Sequence, residues 1–159
     1  MPAPRFLGRA LLDDLCAQAA ASPRRRRNHN LHANTEDPAQ RFFNALQPDS
    51  YVVPHRHIIP GKEETLIVVR GRLGVLFFDD RGDVTETRVL SPGGDDFGLF
   101  IPTGLWHSVI ALEPAVFFEA KRGPYRPLED SEFAPWAPAE GTDGAATCLA
   151  MMRRHFTQP

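Results

Sequence analysis

Two histidines stand one residue apart in "VPHRHIIPGKEE", residues 53–64. On an extended strand successive side chains alternate faces, so His55 and His57 project from the same side, close enough to share one ion. The pair alone is weak evidence, because short polar strands also carry histidines without a metal. Glu64, at the head of "ETLIVVRG", adds a hard anionic oxygen. If Glu64 faces inward, so do Leu66, Val68 and Arg70, placing apolar packing below the site and a guanidinium at its far end. The fourth candidate is His107 in "FIPTGLWHSVI", where Pro102 and Gly104 make a tight turn into a strand. An imidazole among Trp106, Val109 and Ile110 must be satisfied when buried, by ligation or by a hydrogen bond. Three histidines and a glutamate at strand starts point to one divalent metal ion, with Zn, Mn, Fe and Ni all compatible. Such a set leaves roughly one or two positions on a six-coordinate ion for water or substrate, the open arrangement that catalysis uses.

Other side chains are candidates for work around that ion. Tyr51 shares parity with His55 and His57, and Glu119 shares parity with Lys121 on the last strand; Tyr51 and Glu119 are the candidate acid or base residues. Barrel packing for Tyr51 and an outer ion pair for Glu119 with Lys121 are the plain alternatives. Arg70 is either a substrate contact or a partner for a surface carboxylate, and His29 and His32 in "NHNLH" are candidate substrate contacts as well. The preceding "RRRR", Arg24 to Arg27, is either a solvated segment or a partner for an anionic substrate such as a phosphate-bearing sugar.

The elements that must hold these residues can be read from periodicity. Leu7, Leu11, Leu15 and Ala19 recur every four residues, the stripe of an amphipathic N-terminal helix stopped by Ser22-Pro23. "TEDPAQRFFNALQP" predicts a short second helix, with Asp37 as N-cap, Pro38 at the first helical position, Gln40 completing a capping box and Pro48 as the stop. From Tyr51 to Lys121 short Val-, Ile-, Leu- and Phe-rich runs alternate with Gly, Pro and Asp, which predicts about six to eight antiparallel strands in a sandwich or barrel. "GPYRPLEDSEFAPWAPAEGTDG" reads as an extended surface segment pinned by Phe133 and Trp136, and "AATCLAMMRRHF" as a short C-terminal helix. The expected division is an N-terminal helix over 1–23, a barrel with its N-terminal segment and wrapping extension over 24–141, and a helical tail over 142–159.

The 159 residues suffice for one core, and a formal charge of -2 gives no global field for nucleic acid or an anionic membrane. The arginine run lacks the accompanying aromatic and basic surface that nucleic-acid binding needs. Arg9, Asp13 and Asp14 interrupt any export signal, and no run approaches a membrane span. Cys16 and Cys148 stand alone, as reduced thiols in a cytoplasmic protein would.

The combination H-x-H, Glu, six residues, Gly, followed by P-x-G-x-x-H, resembles the two motifs of the cupin superfamily. The stretches "NHNLH", "RFFNAL", "SYVVPHRH", "RGRLGVLFFDD", "IPTGLWHSV", "FFEAKRGPY" and "FAPWAPAEG", in that order from about Arg25 to Gly141, resemble the WbuC-like cupin fold metalloproteins. The resemblance implies a mainly β fold, a double-stranded β-helix or jelly-roll barrel, in which His55, His57, Glu64 and His107 converge on one metal. It also implies a homodimer, with His29 and His32 capping a barrel mouth. Six residues separate His57 from Glu64 where the superfamily has three or four, which puts the reach of Glu64 in question. Ala111 replaces an expected Asn and Asp96 an expected Gly. Two functions fit: a metal-dependent enzyme on a small sugar-like or carboxylate molecule, of an isomerase, epimerase or dioxygenase kind, or a non-catalytic cupin that senses a small ligand.

Overall fold

The structure is a computed structural model and describes residues 3–157; residues 1, 2, 158 and 159, the tips of the two expected helical ends, lie outside the described residues. In chain order the elements are α1 (Arg9–Ala21), β1 (Arg26–Asn30), β2 (Ala39–Leu46), β3 (Glu64–Arg70), β4 (Leu73–Phe78), β5 (Val84–Leu90), β6 (Gly98–Ile101), β7 (Trp106–Ala111), β8 (Ala115–Arg122) and α2 (Asp143–Arg154). Strands β1-β2-β8-β3-β6 form one antiparallel sheet and β5-β4-β7 the other. The chain changes sheets between β3 and β4, β5 and β6, β6 and β7, and β7 and β8, so the architecture is the mainly β jelly-roll barrel expected of a cupin. The first change turns on Gly71, whose φ of 73° lies in the left-handed region and whose missing Cβ makes room for the Pro114 carbonyl.

Three apolar clusters hold the layers together. Leu66, Val68, Leu73, Val75, Val109 and Phe117 fill the barrel between the sheets. On the outside of the larger sheet, Leu15 and Ala19 of α1 pack on Phe43, Ala45 and Val116. On the outside of the smaller one, Cys148 and Met152 of α2 pack with Tyr51, Leu76, Trp106 and Ile110.

One expected element is corrected. The stretch after Asp37 is strand β2, not a helix. Asp37 does accept a backbone hydrogen bond two residues on, from Ala39 at 2.9 Å, but that Asx turn leads into a ladder shared by β1 and β8. Period-two burial decides the outcome. Gln40, Phe42, Asn44 and Leu46 face the barrel cavity while Phe43 and Ala45 face α1, so pairing buries apolar groups on both sides of the strand. The sequence between Ala39 and Leu46 is apolar on both faces, which blurs the distinction between periods of two and 3.6.

Candidate metal centre

The segment carrying His55 and His57 crosses the mouth of the smaller sheet, where His55 and His107 exchange backbone hydrogen bonds of 3.0 and 2.9 Å. The turn into β7 is tied to the same segment by the Gly104 N–H, which donates to the His57 carbonyl at 2.8 Å from a backbone with φ of 92°. On the facing sheet Glu64 opens β3, paired with Ile101 on one side and Lys121 on the other. The long loop of residues 58–63 therefore does not displace the carboxylate, because strand pairing fixes where β3 begins.

The donor atoms converge. One ligand atom each from His55, His57 and Glu64 lies within 4.8 Å of the others. His57 Nε2 donates to Glu64 Oε1 at 2.8 Å, and His107 Nε2 lies 3.4 Å from Glu64 Oε2. The His55 and His107 rings are 4.6 Å apart between centroids, while His57 and His107 are 6.2 Å apart. Each of the first two rings is oriented by its own backbone: Nδ1–H of His55 donates to the Val53 carbonyl at 2.9 Å and Nδ1–H of His107 to the Leu105 carbonyl at 2.8 Å. A carbonyl only accepts, so both rings carry a proton on Nδ1 and turn Nε2 inward, the nitrogen a metal would use. Behind His57, Glu132 places Oε1 3.8 Å from Nδ1 and is itself held by the Ile58 and Glu129 backbone N–H groups. Three imidazoles around one buried carboxylate are a donor set suited to one borderline divalent cation.

The electrostatics match. Burial and the neighbouring His107 hold His55 down at about 3, so its ring is neutral. Burial pushes the Glu64 carboxyl up, but hydrogen bonds from His107 and His57 and the charge of Lys121 outweigh it and hold the group well below the ordinary carboxylate range. Lys121 Nζ donates to both Glu64 and Glu119 at 2.9 Å. Burial works against its charge, yet the two carboxylates raise its pKa. Glu119 is pushed up to about 8 by burial and by the charge of Glu64; its other oxygen accepts from Asn44 Nδ2 at 2.8 Å.

His55, Glu64, His107, Glu119 and Lys121 line a cavity of about 600 Å³. His32 lies on the same wall, buried, with Nδ1 accepting from the Arg41 N–H at 3.0 Å and its ring edge against Phe42. Three expected site residues lie elsewhere. His29 alternates away from the cavity-facing Asn28 and Asn30 of β1. Arg70 points outward to Asp13 of α1 at 2.6 Å, because the register shift between Val68 and Arg70 inverts the alternation begun at Glu64. Tyr51 packs under α2 and donates to the Pro138 carbonyl at 2.9 Å; the chain between Tyr51 and His55 is not a regular strand, so parity does not carry across Pro54. Glu132, Asn44 and Gln40 were not anticipated. Strand parity on β2 would have found the last two, whereas Glu132 closes the short 3-10 turn Asp130–Glu132, where its capping-box spacing from Glu129 is a local signal for a turn and not for a site.

The family model described as "Domain of unknown function (DUF6016)" matches residues 7–90, just over half the chain, including His55, His57 and Glu64. No curated protein matches the sequence. Among solved structures the chain is similar to a conserved protein of unknown function from Streptococcus pyogenes, at 10% identity over 79% of this chain and 93% of that one, with a TM-score of 0.52. It is also similar to KdgF from Halomonas sp., at 22% identity over 66% and 84% of the two chains, TM-score 0.50. A cupin superfamily protein from Desulfitobacterium hafniense matches at 12% identity over 61% and 76%, TM-score 0.48. These likenesses concern the fold.

Proposed function

The chain belongs to the DUF6016 family, and we propose that it is a mononuclear metal-dependent enzyme of the cupin type, WbuC-like in the order of its motifs, acting on a small polar molecule. The observation that carries this reading is the pair of Nδ1-anchored rings, His55 and His107, aiming Nε2 toward Glu64 in a cavity large enough for a sugar-sized ligand. His55, His57, Glu64 and His107 would hold the ion, with Glu132 steadying His57. A divalent ion there supplies a Lewis acid that polarises a carbonyl or hydroxyl oxygen.

The remaining roles belong to the chain itself. Lys121 fixes the orientation of Glu64 and keeps it charged. Glu119, which burial and the charge of Glu64 push up and which Asn44 and Lys121 hold in place, is the group this reading assigns to exchange a proton with a bound ligand. Leu46, Val52 and Phe117 line the same cavity with apolar side chains and limit water near that carboxyl. A second reading is favoured by one observation: both Glu119 oxygens are already engaged, by Lys121 and by Asn44, which suits a ligand sensor with no free base. A homodimer and a cytoplasmic setting belong to the proposal. Phe100, exposed on the edge strand β6, supports the first, and Cys16 and Cys148, both free thiols, support the second. Among the described residues no helix is long and apolar enough to cross a membrane.

Elemental analysis of gently purified protein, repeated on His55→Ala, His57→Ala and His107→Ala, tests the metal. One equivalent of metal in the parent and a loss in the variants is expected. The metal-loaded protein, screened against sugar nucleotides, keto acids and dioxygen uptake, then separates the readings, since tight binding without turnover favours the sensor.

A further inference from the structure

The cavity has a second charged pole, which the metal reading leaves unused. Arg24 and the cavity-facing Arg26 of β1 line it. Arg26 pairs with Leu46 of β2, whereas Phe42 pairs with Glu119 and Gln40 with Lys121. Arg26 therefore sits four residues along β2 from the Glu119 row, roughly 13 Å at about 3.3 Å per residue. Side chains reaching inward from both ends shorten that span. Between the poles the wall carries the apolar side chains Leu46, Val52, Val109 and Phe117 together with the amides of Asn28 and Asn44.

The arginine pole already holds an oxyanion. Nε and Nη2 of Arg24 donate to the two Glu140 oxygens at 2.9 and 2.8 Å, and Arg26 Nη2 donates to the same Oε2 at 2.9 Å. Arg26 Nη1 also donates to the Tyr51 carbonyl at 2.9 Å, which fixes the guanidinium against the barrel. Two guanidinium groups face one carboxylate, so the pole keeps a positive surplus with forked donors shaped for carboxylate or phosphate. Among the described residues the anion paired with Arg24 and Arg26 comes from the extension that wraps back over the barrel, on a side chain 31% exposed.

We propose that the cavity takes an anionic carbohydrate: a sugar or sugar acid whose hydroxyl or carbonyl end lies at His55, His107 and Glu64, and whose phosphate or carboxylate is held by Arg24 and Arg26. The mix of apolar side chains and uncharged amides between the poles fits a hydroxylated carbon skeleton. The assignment of the first end rests on the metal-centre reading; the assignment of the second does not.

The test is calorimetry of the metal-loaded protein at low salt with glucose, glucuronate and glucose 6-phosphate. Both anions are expected to bind at least about tenfold more tightly than glucose, the size of one or two charge-assisted hydrogen bonds, and the tighter of the two identifies carboxylate or phosphate. Arg26→Gln should remove most of that preference. Arg24→Gln, at a side chain 63% exposed, should reduce it without disturbing the fold, as a thermal melt will show. Glu140→Gln, which removes the resident competitor, should tighten glucose 6-phosphate severalfold. Equal binding of all three sugars, no anion binding at millimolar concentration, a preference surviving both arginine changes, or no gain in Glu140→Gln would each overturn the proposal. Repeating the titrations after chelation separates the two readings. A failed metal centre shows as no metal by elemental analysis with the anion preference intact, and a failed arginine pole as metal present without preference.

Discussion

The two faces of β7 are both buried and follow opposite rules. On the outer face Trp106 and Ile110 pack with Leu76, Phe78 and the α2 side chains Cys148 and Met152, and nearly every contact is apolar. On the inner face Val109 and Ala111 continue the barrel core, but His107 meets Glu64 and His55, and the groups beyond them are a lysine and a second glutamate. Burying an ionisable group costs free energy unless it is paired, so the inner cluster survives only because every member is hydrogen-bonded to another or to backbone. The outer face supplies the stability that the inner face spends on orientation. A strand can be equally buried on both sides while only one side is arranged for chemistry.

The contrast can be broken first on the outer face, where the effect on stability should be greatest. Leu76→Ala removes a fully buried side chain and should destabilise the fold by about 2–5 kcal/mol in chemical denaturation, with metal stoichiometry per folded molecule unchanged. A loss of metal at retained stability would mean that the faces are not independent. On the inner face the reverse is expected. Glu132→Gln should lower metal affinity about tenfold in a competition titration and move the denaturation midpoint little, because its part is to steady His57 from behind. Unchanged affinity would reduce Glu132 to a loop-closing residue.

The smallest effect concerns the extension that covers the barrel. Hydrogen bonding from Arg24 and, less strongly, from Arg26 holds Glu140 below the ordinary carboxylate range against its partial burial. A depressed folded-state pKa contributes stability above the ordinary value, and that contribution is lost as pH falls through the depressed one. Exchange of the amides around Gly141, measured relative to the intrinsic rate at each pH, should therefore quicken in the parent only once pH falls below the ordinary carboxylate range. In Glu140→Gln it should be fast already at neutral pH.

How much of this was legible in the sequence follows the same division. His55, His57, Glu64 and His107 could be picked out because alternation along short strands and the H-x-H and P-x-G-x-x-H spacings are local properties. The six strands from β3 to β8 were legible for the same reason, as was α1 from its four-residue leucine spacing. For Arg70 and Tyr51 the plain alternatives, an ion pair and packing, are what the chain forms, because alternation breaks at a register shift, which has no residue signature, and across Pro54, which has one. Strand β2 was misread because its partners, β1 and β8, lie far apart in sequence, and strand pairing overrode a plausible helix cap at Asp37. Glu132 depends entirely on where the extension folds back.

The central claim is most directly tested by diffraction from crystals soaked in manganese or zinc, with data collected at the metal's absorption edge. One anomalous peak is expected inside the barrel, about 2.0–2.3 Å from Nε2 of His55, His57 and His107 and from a carboxylate oxygen of Glu64. No peak between those rings, or a peak only at surface carboxylates, would contradict it.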